Sequence, residues 1–291
     1  MKKVELSDLQ LDHIIKLSRD LRRSVGYVGD VVIGYNVFSI LDTLGIALLE
    51  YPIDSKNSKP AFSAAMIYSE ENNERFAFIG LNTADYLDNQ IFSIAHELYH
   101  FCTKTGSHLS RIESDNNQIE DMANRFAAEF LLPETCLKSL ILEEFKQTSL
   151  EDISRNTLLR LIARLQCHWY LPYRSVVRRL YEISAITHEQ LVEFYDINER
   201  DLNGEYGRLG QAIDQDTFIK LNDPTYKIGT SAKEIEIIIR NFEDHLIDED
   251  KFAAALSLFN RTPEEFGFHI NVSNEDIDEF EAFFSGEGNN V

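Results

Sequence analysis

Residues 90–101 read QIFSIAHELYHF and contain His96-Glu97-Leu98-Tyr99-His100. On a helix, side chains four apart share a face, so His96 and His100 can hold one metal ion together. Glu97 stands at the edge of that face, where a carboxylate can take a proton from a metal-bound water. Ile91, Ile94, Ala95, Leu98 and Cys102 recur at helical spacing and predict a packing stripe that anchors the helix. Cys102 falls on this stripe and is expected in the core rather than on the metal.

Zinc held by two histidines needs a third protein ligand. The pattern with Gly three and His six residues after the second histidine is excluded, because those positions hold Thr103 and Gly106. His108 follows two residues later, in the loop-like TGSHLS. Residues 117–132, NQIEDMANRFAAEFLL, predict an amphipathic helix stopped by Pro133. Glu120 and Glu129 both lie on it, about two and a half turns apart, and so point in opposite directions. Glu120 shares its face with Asn124 and Ala127, with small Ala123 beside them, which lets this helix come close to the metal helix. Asn124 is placed to bond the outer nitrogen of a ligating histidine. Glu129 lacks such neighbours and is expected to be a solvated charge. Glu120 is therefore the chosen third ligand, ahead of His108 and Glu129.

The series His96-Glu97-x-x-His100 followed by Glu120-x-x-Ala123-Asn124-x-Phe126-Ala127-Ala128-x-x-Leu131-Leu132-Pro133 closely resembles the ImmA/IrrE family of metallo-endopeptidases. The resemblance covers roughly residues 28–186. It implies a zinc-dependent peptidase with a gluzincin-like site: His96, His100 and Glu120 as zinc ligands and Glu97 as general base. The substrate it implies is a helix-turn-helix transcriptional repressor, often of a mobile element or stress regulon. One departure is Tyr99, where a small residue is common; its bulk is expected to narrow the cleft. A reading of another class keeps the zincin scaffold as a non-catalytic regulator that binds protein or DNA.

The elements that must position these groups follow in chain order. Residues 6–24 predict an amphipathic helix. Residues 37–49 predict a second helix that passes Gly45 into a strand over 46–51. A polar loop over 54–60 leads to strands at 64–68 and 75–81, in hairpin-like arrangement. The resemblance implies that 76–81 is the edge along which an extended substrate lies by strand addition. Residues 137–150 predict a helix. Residues 154–181 hold Arg155, Arg160, Arg164, Arg174, Arg178 and Arg179 with no acidic residue, and predict two helices around a turn near 169–172. This basic stretch is either a nucleic-acid contact or a helix pair whose arginines meet carboxylates elsewhere in the chain; the second is preferred. Residues 198–230, rich in Gly, Asn and Asp, are expected to be mostly loop. Helices are expected again at 232–247 and 250–259, with a helix start at 262–265. The tail, 273–291, alternates acidic and aromatic residues and is a candidate docking peptide or a frayed end.

The fold expected is α+β: a zincin-like metallopeptidase domain with a small antiparallel or mixed sheet, then a mainly helical C-terminal region. The boundaries expected are 1–135 for the peptidase domain, 136–197 for a helix-turn-helix-like extension, and 198–291 for an acidic region of unassigned role. The chain has 291 residues and a net charge of −21, which disfavours a general attraction to nucleic acid or anionic membrane. No apolar run reaches the length of a membrane span. The start of the chain lacks signal-peptide features, and three widely spaced cysteines fit a reduced compartment, so a cytoplasmic protein is expected.

Overall fold

The computed structural model describes residues 6–53, 62–71, 74–105 and 116–269. The polar loop over 54–60, His108 and the acidic-aromatic tail lie outside the described residues. Two compact units divide the chain, Met1–Ile228 and Gly229–Val291.

The first unit is α+β and mostly helical. Helix α1 (Asp8–Ser24) starts at a capping box in which Ser7 and Gln10 bond each other's backbone amides. Helix α2 (Val37–Leu44) ends on Gly45, whose φ of 69° is the left-handed conformation that a glycine adopts without strain. Strand β1 (Ile46–Tyr51) follows directly. Strands β2 (Ala64–Glu71) and β3 (Glu74–Asn82) pair antiparallel, with Met66 opposite Ile79, while β1 pairs parallel with β3, with Leu48 opposite the same Ile79. The order β2-β3-β1 puts β3 in the middle. Residues 76–81 are thus not the edge that the resemblance implied; within this unit the edges are β2 and β1. A parallel partner that precedes the hairpin leaves no local mark on β3, so nothing in its residues could correct that expectation.

Helix α3 (Leu87–Thr103) carries the HExxH residues and α4 (Asn116–Leu131) packs on it. Their contact is lined by Ala95, Ala123 and Ala127, all fully buried, so small side chains bring the two backbones close. Ile91, Ile94, Leu98, Phe126 and Phe130 complete the same core. Arg22 of α1 is buried and donates to the Phe130 carbonyl at 2.6 Å, satisfying one of the acceptors left open at the end of α4.

Helices α5 (Glu134–Phe145), α6 (Arg155–Trp169), α7 (Tyr173–Glu182) and α8 (His188–Tyr195) follow. Five of the six arginines of α6 and α7 meet carboxylates, while Arg160 donates to the Thr157 hydroxyl. Arg155 pairs with Glu193 and Glu205, Arg164 with Glu144, Arg174 with Glu199, and Arg178 with Glu182. Arg179, fully buried, reaches Glu129 at 2.8 Å. Glu129 is therefore no solvated charge. It is buried between Arg125 and Arg179, and it accepts the Glu134 amide as well.

The stretch expected to be loop contains α9 (Glu205–Ile213) and α10 (Gln215–Leu221). Its glycines serve close packing instead of turning the chain. A Cβ on Gly210 would sit 2.1 Å from the Phe218 ring, and one on Gly207 2.6 Å from the Cα of Leu202. These helices close over the first unit, with Tyr206 donating to Gln166 at 2.6 Å. Residues 198–228 thus fold with the first unit.

The second unit contains α11 (Ala232–Glu243), α12 (Glu249–Ser257) and a 3-10 turn at Pro263–Phe266. Phe242 stacks on Phe252 at 4.3 Å, and Phe268 meets both edge-on. Among the described residues no helix is long and apolar enough to cross a membrane.

Candidate metal centre

His96 and His100 project from one face of α3, a turn apart, and Glu120 reaches them from α4. His96 Nε2 lies 3.1 Å from Glu120 Oε2 and 3.2 Å from His100 Nε2, and His100 Nε2 lies 3.6 Å from Glu120 Oε1. Ligand atoms about 2.0–2.2 Å from one zinc in a tetrahedron stand roughly 3.3–3.6 Å apart. The three donors therefore fit a single zinc ion with little rearrangement. They form the one group of three or more possible metal-binding side chains among the described residues. The histidines are largely enclosed, while Glu120 is half exposed, which leaves the open side of the cluster toward solvent.

The outer nitrogens of both rings are engaged. His96 Nδ1 donates to Asn124 Oδ1 at 3.0 Å, and His100 Nδ1 donates to the Thr105 carbonyl at 3.0 Å. Each bond fixes the ring orientation and holds the proton on Nδ1, so Nε2 is free to ligate. The Asn124 contact follows from the spacing Glu120–Asn124 on one helix face. The Thr105 contact and the Tyr68 hydroxyl, which donates to the His100 carbonyl at 3.2 Å, involve backbone groups that no side-chain pattern announces.

Glu97 is buried at the inner edge of the cluster. Its Oε2 accepts the backbone N–H of Met66 on β2 at 2.9 Å. Since β2 pairs only with β3 among the described residues, the Met66 amide points to the open side of the strand. That bond ties the carboxylate to the sheet edge and was not foreseen. Burial raises the Glu97 pKa, and the nearby His96 and the Met66 bond only partly offset it. Burial disfavours a charged His96, yet the bond to Glu120 and the charges of Glu97 and Glu120 outweigh it and raise its pKa. Burial and the neighbouring His96 lower that of His100. The His96 hydrogen bond holds the Glu120 carboxyl below its usual range.

Tyr99 does not narrow the cleft. It turns into the core, 3% exposed, with its ring 5.6 Å from Phe126 and its hydroxyl toward Met122 Sδ. Cys102 is partly buried, and burial pushes its thiol up to about 11. Glu129 is on the far side of α4 in the arginine network, away from the cluster.

Comparison with curated proteins gave no match. Among solved structures, a Mycobacterium tuberculosis transcriptional regulator is similar at 15% identity with a TM-score of 0.35, over 58% of this chain and 46% of that one. The chain thus spans less than half the length of that regulator. Residues 42–181 match the IrrE N-terminal-like domain of Peptidase M78, a stretch that takes in α3, α4 and the whole histidine-glutamate cluster, and this match supports the ImmA/IrrE resemblance for that stretch.

Proposed function

We propose that the chain is a zinc-dependent endopeptidase, with His96, His100 and Glu120 as ligands and Glu97 as general base. The observation that carries this reading is the convergence of three donors within 4.8 Å of one another. Bound zinc would supply Lewis acidity and lower the pKa of a water toward about 7. Glu97 accepts the proton of the attacking water and returns it to the leaving amine. Its burial suits both tasks, because a raised pKa makes the carboxylate a better base and keeps the proton available for transfer. The Met66 amide holds Oε2 and so orients the carboxylate. Asn124 and the Thr105 carbonyl hold the two imidazoles in place.

An extended peptide is proposed to lie along β2, the strand that contacts Glu97, instead of along β3. The substrate proposed, on the resemblance to ImmA/IrrE peptidases, is a helix-turn-helix transcriptional repressor in the cytoplasm. Three free cysteines are in keeping with that compartment.

Zinc content and proteolysis, measured together, test the assignment. Wild type should hold about one zinc per chain, and Glu120→Ala should lose it. Glu97→Gln should keep the zinc and fail to cleave repressors that the wild type cleaves. A wild type that holds no zinc when metal-replete removes the peptidase reading. Undiminished cleavage by Glu97→Gln removes Glu97 from the mechanism.

A further inference from the structure

Behind the histidine cluster, on the side of α4 that faces α7, is a cavity of about 230 Å³. Phe92 of α3 and Asn124 of α4 form its inner wall, and Arg174, Ser175, Arg178 and Arg179 of α7 form its outer wall. Four arginines line it, Arg125 being the fourth, against one carboxylate, Glu182. At roughly 30 Å³ per water molecule the space suits a small organic molecule, not merely a single ion.

The guanidinium groups are not equivalent. Arg125 spends all three of its nitrogens on Glu129, Glu134 and Glu182. Arg174 and Arg178 each form one ion pair, through Nε, to Glu199 and Glu182, and the Arg174 guanidinium also stands 5.7 Å from the centre of the Tyr195 ring. Their terminal nitrogens have no hydrogen-bond partner among the described residues and are half exposed at the cavity mouth. Deeper in, Arg179 is fully enclosed and its Nε–H has no partner. A buried donor left open is costly, so it marks a place where an acceptor belongs. Paired arginine forks match carboxylate and phosphate oxygens two at a time. Ser175 adds a hydroxyl, and Phe92 and Tyr195 add apolar wall.

We propose that this cavity binds a small organic oxyanion, a phosphate monoester or a carboxylate, with its charged head on the terminal nitrogens of Arg174 and Arg178. The occupant lies against Asn124, the residue that holds His96, and so would be one side chain from the metal centre. The site is separate from the zinc ligands, and it stands whether or not the chain cleaves peptides.

Calorimetric titration of the full chain with inorganic phosphate and, separately, with succinate tests this. Each titration is run on zinc-loaded and on chelator-treated protein. Saturable binding of either probe to both forms is expected, and the better probe identifies the head group. Arg174→Gln and Arg178→Gln should each weaken it at least tenfold while circular dichroism and zinc content stay as in wild type. Should either variant unfold, Ser175→Asp tests the same point by placing a carboxylate in the cavity, and it too should abolish binding. The proposal is overturned if neither probe saturates, or if folded variants bind like wild type. Binding confined to the zinc-loaded form overturns it as well, since the anion would then sit on the metal.

Discussion

Glu129→Ala should destabilise the first unit severely while leaving zinc in place. The carboxylate is 6% exposed and accepts from Arg125 Nη1 at 3.0 Å, from Arg179 Nη2 at 2.8 Å and from the Glu134 amide at 3.2 Å. Removing one member of a buried ion pair costs about 3–5 kcal/mol, because the partner is left charged and enclosed. Arg179 keeps Glu182 at 3.4 Å and the Leu132 carbonyl at 3.1 Å, which argues for the lower end, about 3 kcal/mol. In domains of this size each kcal/mol shifts the melting temperature by roughly 2–4 °C. The expected fall is therefore about 6–12 °C, read by circular dichroism at fixed zinc concentration because bound metal also raises the transition. Glu129→Gln keeps the shape and one acceptor, and should fall between. A shift of less than about 2 °C would show that the network contributes little and refute the reasoning. Loss of zinc from a well-folded Glu129→Ala would refute it differently, by making Glu129 a ligand in place of Glu120.

Asn124→Ala should lower zinc affinity about 10–100-fold, by chelator competition, because His96 loses the partner that sets its tautomer; an unchanged affinity would make the contact incidental. The folded chain should have no fast thiol. With its pKa pushed to about 11, Cys102 is roughly one part in a thousand thiolate at pH 8, and its reaction with a disulfide reagent should speed up about tenfold per pH unit. Cys136 and Cys167, pushed to about 12, should be slower still, while all three react at once in denaturant; a rapid thiol in the native protein would contradict this. Gly210→Ala should lower stability by about 1–3 kcal/mol in a denaturant melt, because overlap with the buried Phe218 ring outweighs the roughly 0.5–1 kcal/mol of helix preference gained; a stabilised variant would show that the ring can move.

What the sequence revealed and what it hid divide along the range of the interactions. The pairing of His96 with His100 is a property of one helix, and the 3.6-residue period states it outright. The approach of Glu120 was legible because Ala123 and Ala127 mark where a second helix can come close, and Asn124 falls one turn on along the same face. Gly45 could be read as the passage from α2 to β1 because its φ of 69° is a local requirement. Glu129 was misread for the opposite reason. Its partner Arg179 is fifty residues away on α7, and nothing in the spacing of either helix says that the two faces meet. The order of the strands was hidden likewise, since β3 looks the same whether β1 or water covers its far side. Gly207 and Gly210 look like loop residues until α9 is seen against Leu202 and Phe218, where a glycine is the residue without a clash. The bond from Met66 to Glu97 is a backbone donor meeting a side chain, so no residue type at position 66 announces it. The donor set was thus written locally, whereas the groups that hold it in place, β2 at Glu97 and the arginine network behind α4, exist only once distant segments have packed. Substitutions in that supporting layer should therefore act on stability and on carboxylate position first, and on metal content last.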